Sequence, residues 1–260
     1  MILKTLLIAS LTITSLFSIT AQEIAQKVSD RDEGDNITSN MKMILIDKNK
    51  NQRIRDLQVY TKERGTDTLK LMFFLTPADV KNTAFLTYDY EDSDRDDDQW
   101  LYLPELQKVK RIASSDKSSS FMGSDFTYSD MTSRNVSDYT YKIMKEPTVR
   151  GHKTWQLLVT PKTDKTIAET GYTKSIMFVR QDNFVPIQAL NYIKQGKKLK
   201  YMIVNDLKLV DGVWTVMEMQ MTTKKGKKTL HKSVFKFSNV KYNQDLDESL
   251  FTTRTLERGL

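Results

Sequence analysis

A mainly β fold built from long antiparallel strands follows from three features of the sequence. Apolar and polar residues alternate with period two through most of the chain, Gly-containing turns separate the alternating runs, and helical periodicity is scarce. Gly and Pro are nearly absent from within the runs, which favours long strands in a single strongly curved sheet wrapped around a few helical pieces. A two-sheet sandwich also satisfies the need to cover an apolar face.

The elements read in order as follows. Residues Glu23–Asp30 carry the clearest helical pattern. Asn40–Asp47 alternates, with Met41, Met43 and Leu45 on one face and Lys42, Ile44 and Ile46 on the other. Arg53–Lys62 is the next strand. A turn containing Gly65 leads to the apolar strand Thr68–Leu75, which Pro77 stops. Thr83–Tyr90 ends in the acidic run Glu91–Asp98, Trp100–Leu103 resumes the sheet, and Lys108–Ile112 answers it across Pro104. From Ala113 to Met131 the pattern is a loop or short helix. Strands return at Tyr139–Lys145, Thr154–Thr160 and Ser175–Arg180. A meander then runs through Pro186–Lys194, Leu199–Leu209, Val213–Thr223 and Thr229–Phe237, with turns at Gln195-Gly196, Asp211-Gly212 and Gly226. Leu246–Phe251 reads as one helical turn.

Residues 1–21 have the layout of a cleavable secretory leader: a short positive head at Lys4, an apolar run from Leu6 to Ile19, and a small residue, Ala21, at the expected cut. That leaves residues 22–260 as a single β domain. The chain of 260 residues carries a formal net charge of +7, which falls to +6 once Lys4 is removed. For an exported protein such charge points to anionic envelope surfaces, acidic partners or solubility, and not to nucleic acid. Much of it lies between strands, at Lys197, Lys198 and Lys200 and at Lys224, Lys225, Lys227 and Lys228, where it reads as solvated hairpin turns. There is no cysteine, so disulfides and a lipidated N-terminal cysteine are both excluded. Stability must come from the core, which fits a bacterial envelope protein.

The residues give no sign of an enzyme. A cysteine nucleophile, a Gly-x-Ser-x-Gly elbow, a His-Glu-x-x-His pair and a Gly-rich phosphate loop are all missing. The two histidines, His152 and His231, read as surface or edge positions. The acidic run Glu91–Asp98 lacks the ligand spacing of a calcium loop and reads as a solvated turn that deters edge pairing. No cofactor and no metal are expected.

The apolar inventory is more informative. The chain has 12 Met, 11 Tyr and 11 Phe. Alternation over Val213–Thr223 puts Met217, Met219 and Met221 on one face, and Met41 and Met43 form a shorter stripe. Methionine adapts its shape to varied apolar partners, so a methionine row in a half-open sheet suits a lipid-chain cavity. Phe121, Met122, Phe126 and Tyr128, between polar flanks, read as a plug or lid over its mouth, with Gly123 as a hinge or tight bend.

The run Trp100-Leu101-Tyr102-Leu103-Pro104, the element Phe121-Met122-Gly123-Ser124-Asp125-Phe126 with Tyr128 and Asp130, and the segment from Phe178-Val179 to Asn183-Phe184-Val185-Pro186 resemble the outer-membrane lipoprotein-sorting-like family. Trp214 after Asp211-Gly212 and the closing Tyr242–Phe251 region are similar to it as well. The resemblance implies a half-open antiparallel β-barrel of long curved strands, with a few covering helices and a lid segment around a hydrophobic cavity. It adds Trp100 to the candidate ligand-binding residues. It also implies a periplasmic, non-enzymatic carrier or chaperone for a lipid or for lipoprotein acyl chains, in transient contact with a membrane surface and serving a resistance-nodulation-division type exporter. Basic residues at the mouth would hold an anionic headgroup. The other reading is a non-enzymatic accessory or scaffold that binds an envelope transporter or signalling complex.

Overall fold

The computed structural model describes residues 18–92, 94–194 and 196–259. Most of the expected leader therefore lies outside the described residues. The chain enters through α1 (Ala21–Ser29), closed at its start by a capping box: Glu23 N–H donates to Thr20 Oγ1 at 3.2 Å, and Thr20 N–H donates to Glu23 Oε2 at 2.7 Å. Cleavage after Ala21 would remove that cap.

Six strands follow as an antiparallel meander: β1 (Ile37–Asp47), β2 (Gln52–Arg64), β3 (Asp67–Thr76), β4 (Ala84–Asp89), β5 (Asp98–Leu103) and β6 (Lys108–Arg111). Four short 3₁₀ turns occupy Ser114–Asp138. The second half runs through β7 (Tyr139–Lys145), the short β8 (Thr148–Val149), β9 (His152–Pro161), α2 (Asp164–Thr170), β10 (Tyr172–Arg180), β11 (Pro186–Ile193), β12 (Lys198–Val210), β13 (Val213–Lys225) and β14 (Lys228–Lys241), and ends in α3 (Thr253–Arg258).

All the strands belong to one antiparallel sheet, ordered β6-β5-β4-β3-β2-β1-β14-β13-β12-β11-β10-β9-β7, with β8 paired only to β9. The two meanders join where β1 pairs with β14, from Thr38 opposite Lys241 to Asp47 opposite His231. The sheet does not close, because β6 and β7 stay as free edges among the described residues. It is a half-open barrel, and the sandwich alternative is not realised.

Alternate side chains divide the core between the two faces. On the inner face of the first meander, Met41, Met43, Leu45, Leu57, Val59, Met72, Phe74 and Phe85 pack with Phe121 and Phe126. On its outer face, Leu69, Leu71, Phe73, Ala84 and Leu86 pack under Phe251 and Leu256 of the C-terminal tail. β3 is thus covered on both faces, which is why its sequence, Leu69-Lys70-Leu71-Met72-Phe73-Phe74, runs almost continuously apolar. On the second meander Ile24 of α1, fully buried, packs with Trp155, Leu157, Val159 and Val179. α1 therefore lines the inner face at the β7–β10 end.

Candidate functional site

The plug element is a miniature hairpin packed inside the barrel against Phe85 of β4 and Phe235 of β14. Ser120 and Thr127 form a bridge, and Phe121 N–H donates to Phe126 C=O at 2.8 Å. Between them Met122 (φ 48°, ψ 36°) and Gly123 (φ 75°) are both left-handed, and Ser124 N–H returns to Phe121 C=O at 2.8 Å. Two successive positive φ values closed by that hydrogen bond make a type I′ turn, so Gly123 supplies a tight bend. The turn drives both rings inward. Phe126 stacks on Phe235 with centroids 4.2 Å apart, and Phe121 lies 5.0 Å from Phe85 and edge-on to Tyr128 at 5.6 Å.

Polar bonds pin this element to the sheet. The Asp125 side chain, almost fully buried, accepts from Thr223 Oγ1 at 2.5 Å, His231 Nδ1 at 2.6 Å and Ser233 Oγ at 2.7 Å. Its own N–H donates to Ser233 Oγ at 2.8 Å. From the other side Arg55, also buried, donates to Met122 C=O at 2.5 Å and lies over the Phe74 ring; burial lowers its guanidinium pKa. Sequence spacing gave no hint of the Asp125 cluster, whose members lie on three separated elements. Although Asp, His and Ser meet here, they are not arranged for acyl transfer. Ser233 is fully buried and bonds the same carboxylate oxygen as the histidine, so its Oγ is not offered to an imidazole nitrogen as a nucleophile would be. Among the described residues no group of three or more His, Asp or Glu could hold a metal ion.

Beside the plug, an open groove of about 770 Å³ runs over the inner face of the second meander. Its lining includes Ala25 and Val28 of α1, Phe126 and Met131, and Val159, Met177, Ala189, Met202, Met219 and Met221 of the sheet. Asp130, another lining residue, accepts from the Tyr172 hydroxyl at 2.8 Å, and burial, with Asp130 next, raises the phenol pKa well above the usual value. Lys200 lies 5.5 Å above the Tyr172 ring; burial lowers its ammonium pKa, against the pull of Asp130 and Asp125.

The ten candidate ligand residues thus separate into groups. Met219, Met221 and Phe126 line the groove. Met41, Met43 and Phe121 are buried in the core of the first meander, with Met122 and Tyr128 packed against it. Trp100 sits on the outer face with Tyr88, against the C-terminal tail. Met217 is not among the groove residues. β12 pairs β13 as Val204–Met219, then Asp206–Glu218, then Leu207–Val216, which leaves Asn205 and Met217 as bulged residues. The bulge breaks the alternation expected from Val213 to Met221, and Trp214 and Val216 pack with Val204 and Met202 instead. The mouth also differs from expectation. Exposed carboxylates, Asp30, Asp32, Glu33, Asp35, Glu63 and Glu91, outnumber the basic residues Arg31, Lys70 and Arg134 along it.

The comparisons with known proteins agree with this architecture. No curated protein matches the chain. A family profile described as "Uncharacterized protein" matches residues 66–258. Among solved structures, a DUF1329-family protein from Desulfovibrio piger superposes with a TM-score of 0.82 at 29% identity, covering 91% of this chain and 97% of its own. A LolA-superfamily protein from Nitrosomonas europaea shares the fold at a TM-score of 0.68 and 20% identity, covering 91% and 99%. A domain from Vibrio parahaemolyticus, described as outer membrane lipoprotein-sorting, matches with a TM-score of 0.82 at 31% identity, over 92% of this chain and 98% of that one. Identity and coverage at that level place the chain in one family with the Vibrio domain, built on the fold of the LolA superfamily.

Proposed function

We propose that the protein is a periplasmic, non-enzymatic carrier or chaperone that shelters a lipid, or the acyl chains of a lipoprotein, in the groove between α1 and the plug. The observation that carries this reading is the groove itself: about 770 Å³, with five methionines, Met131, Met177, Met202, Met219 and Met221, among its lining. That volume falls in the range of about 300–1,000 Å³ common for small-molecule sites. An acyl chain leaving a membrane gives up about 0.8 kcal/mol per methylene, and the deformable methionine side chains of a mixed polar and apolar lining can return part of it. The plug supports the reading by bridging the β1–β14 seam and leaving the groove beside it open. Service to a resistance-nodulation-division type exporter is part of the proposal and rests on the family resemblance alone.

The test is to purify the protein from its native envelope, extract it with organic solvent and identify bound lipid by mass spectrometry. Recovery of lipid from the wild type, and its loss from a Met219→Glu/Met202→Glu variant that stays folded, is the expected result. Lipid-free wild-type protein that also fails to take up any long-chain probe, whether its headgroup is neutral, cationic or anionic, would overturn the reading.

A further inference from the structure

The rim of the groove runs against the charge of the molecule that carries it. The chain has 40 Lys and Arg against 33 Asp and Glu. Around the groove, six exposed carboxylates face three cations, Arg31, Lys70 and Arg134. Of these only Arg31 is in an ion pair among the described residues, and six carboxylates against three cations leave the groove with an excess of negative charge. Arg31 pairs with Glu33 and donates to Trp214 C=O, Lys70 donates to Met131 C=O at 3.2 Å, and Arg134 sits 6.0 Å from the rings of both Tyr139 and Tyr172. Asp30 and Asp32 accept only from uncharged donors, the Gln26 amide and the Gly34 N–H. Among the described residues, Asp30, Asp32, Asp35, Glu63 and Glu91 therefore have no ion-pair partner. Burial, followed by Asp35, Glu33 and Asp32, raises the Glu63 pKa, as expected where carboxylates crowd together without compensation.

The lysine-rich tips cannot supply the missing charge. Arg31 ties the rim to Trp214 at the start of β13, whereas Lys224, Lys225, Lys227 and Lys228 lie at its far end. Strand rise puts the two roughly 35 Å apart, several Debye lengths at physiological salt.

We infer that the groove takes a cationic amphiphile: an apolar chain laid along the methionine lining, with an amine or quaternary ammonium group held at the acidic rim. This rests on the carrier reading and names the chemistry of its cargo. An anionic headgroup, expected from the overall basic composition, would meet like charge at the rim.

Calorimetric titration of the purified protein with amphiphiles below their micelle concentrations separates the possibilities. The titrants are dodecyltrimethylammonium, neutral dodecyl maltoside, dodecyl sulfate and tail-less tetramethylammonium. The expected order puts dodecyltrimethylammonium about tenfold tighter than the maltoside, several exposed charge pairs acting together. Added salt should shrink that preference. In an Asp32→Asn/Asp35→Asn/Glu63→Gln variant the preference should vanish while maltoside affinity stays the same. The replaced side chains are exposed, and single Glu63→Gln, with a partial loss of preference, serves as a milder variant. Equal binding of cationic and neutral amphiphiles would overturn the inference and leave the carrier reading standing, as would tighter sulfate binding. Tetramethylammonium binding as tight as the long-chain cation would show a cation surface independent of the groove, and would also overturn it. Failure of every dodecyl compound to bind would sink the carrier reading with it.

Discussion

Asp125 gives the sheet beneath it both a carboxylate and an N–H, so one residue fixes the position and the direction of the plug. Asp125→Ala would leave the Thr223, His231 and Ser233 groups without their acceptor inside a buried cluster. The expected loss is about 2–4 kcal/mol in denaturant unfolding, with faster proteolysis at residues 118–128. Asp97 acts in the opposite sense. Burial, and then the neighbouring Asp89 charge, push its pKa to about 6 from an ordinary 3.8. Because the folded state holds this proton more tightly than the unfolded chain, stability falls as pH rises from about 4 through about 6, and stays reduced above. Asp97→Asn keeps an acceptor for the Tyr90 N–H and removes the charge. The variant should be more stable than wild type near pH 7, by on the order of 1–2 kcal/mol, and no more stable below pH about 4; thermal melts across that range check it.

At the scale of elements, the strands were legible because alternation is a local signal, and the expected strand segments match β1–β7 and β9–β14 with ends shifted by a few residues. What the pattern missed has physical causes. α2 and α3 span seven and six residues, too short for a 3.6-residue period to emerge. The β13 bulge has no marker in the sequence, since alternation simply continues through Met217. Asp125 could not be joined to His231 and Ser233, because only the β1–β14 seam and the plug turn bring them together. The methionines of the groove were partly visible: Met219 and Met221 stood out on one strand, while Met131, Met177 and Met202 come from other elements. The bulge leads to a comparison between neighbours on β13. Met219→Lys should abolish uptake of neutral dodecyl maltoside, whereas Met217→Lys should leave it within about twofold of wild type, because one side chain lines the groove and the other does not. A second element-scale effect sits before β1, where Gly34 has φ 79° and an added Cβ would lie 2.2 Å from the Tyr242 ring. Gly34→Ala should destabilise by about 2–4 kcal/mol in chemical denaturation, combining backbone strain with displacement of a buried tyrosine.

For the whole molecule, an open sheet leaves two strand edges that could pair with another copy. β6 guards one of them with exposed Lys108, Lys110 and Arg111, the last in an ion pair with Asp98. Replacing Lys108 and Lys110 with valine should cause concentration-dependent association, visible by light scattering, with little change in the melting of the monomer. The seam between β1 and β14 reaches further. Each meander can assemble from neighbouring hairpins, but the strands that unite them come from opposite ends of the domain and can meet only after nearly all of it is available. Closure of that very long loop should therefore come late and set the pace of folding. A polypeptide threaded through a membrane pore could form its first hairpins on emerging, but would join the two meanders into one barrel only once its last strand had followed.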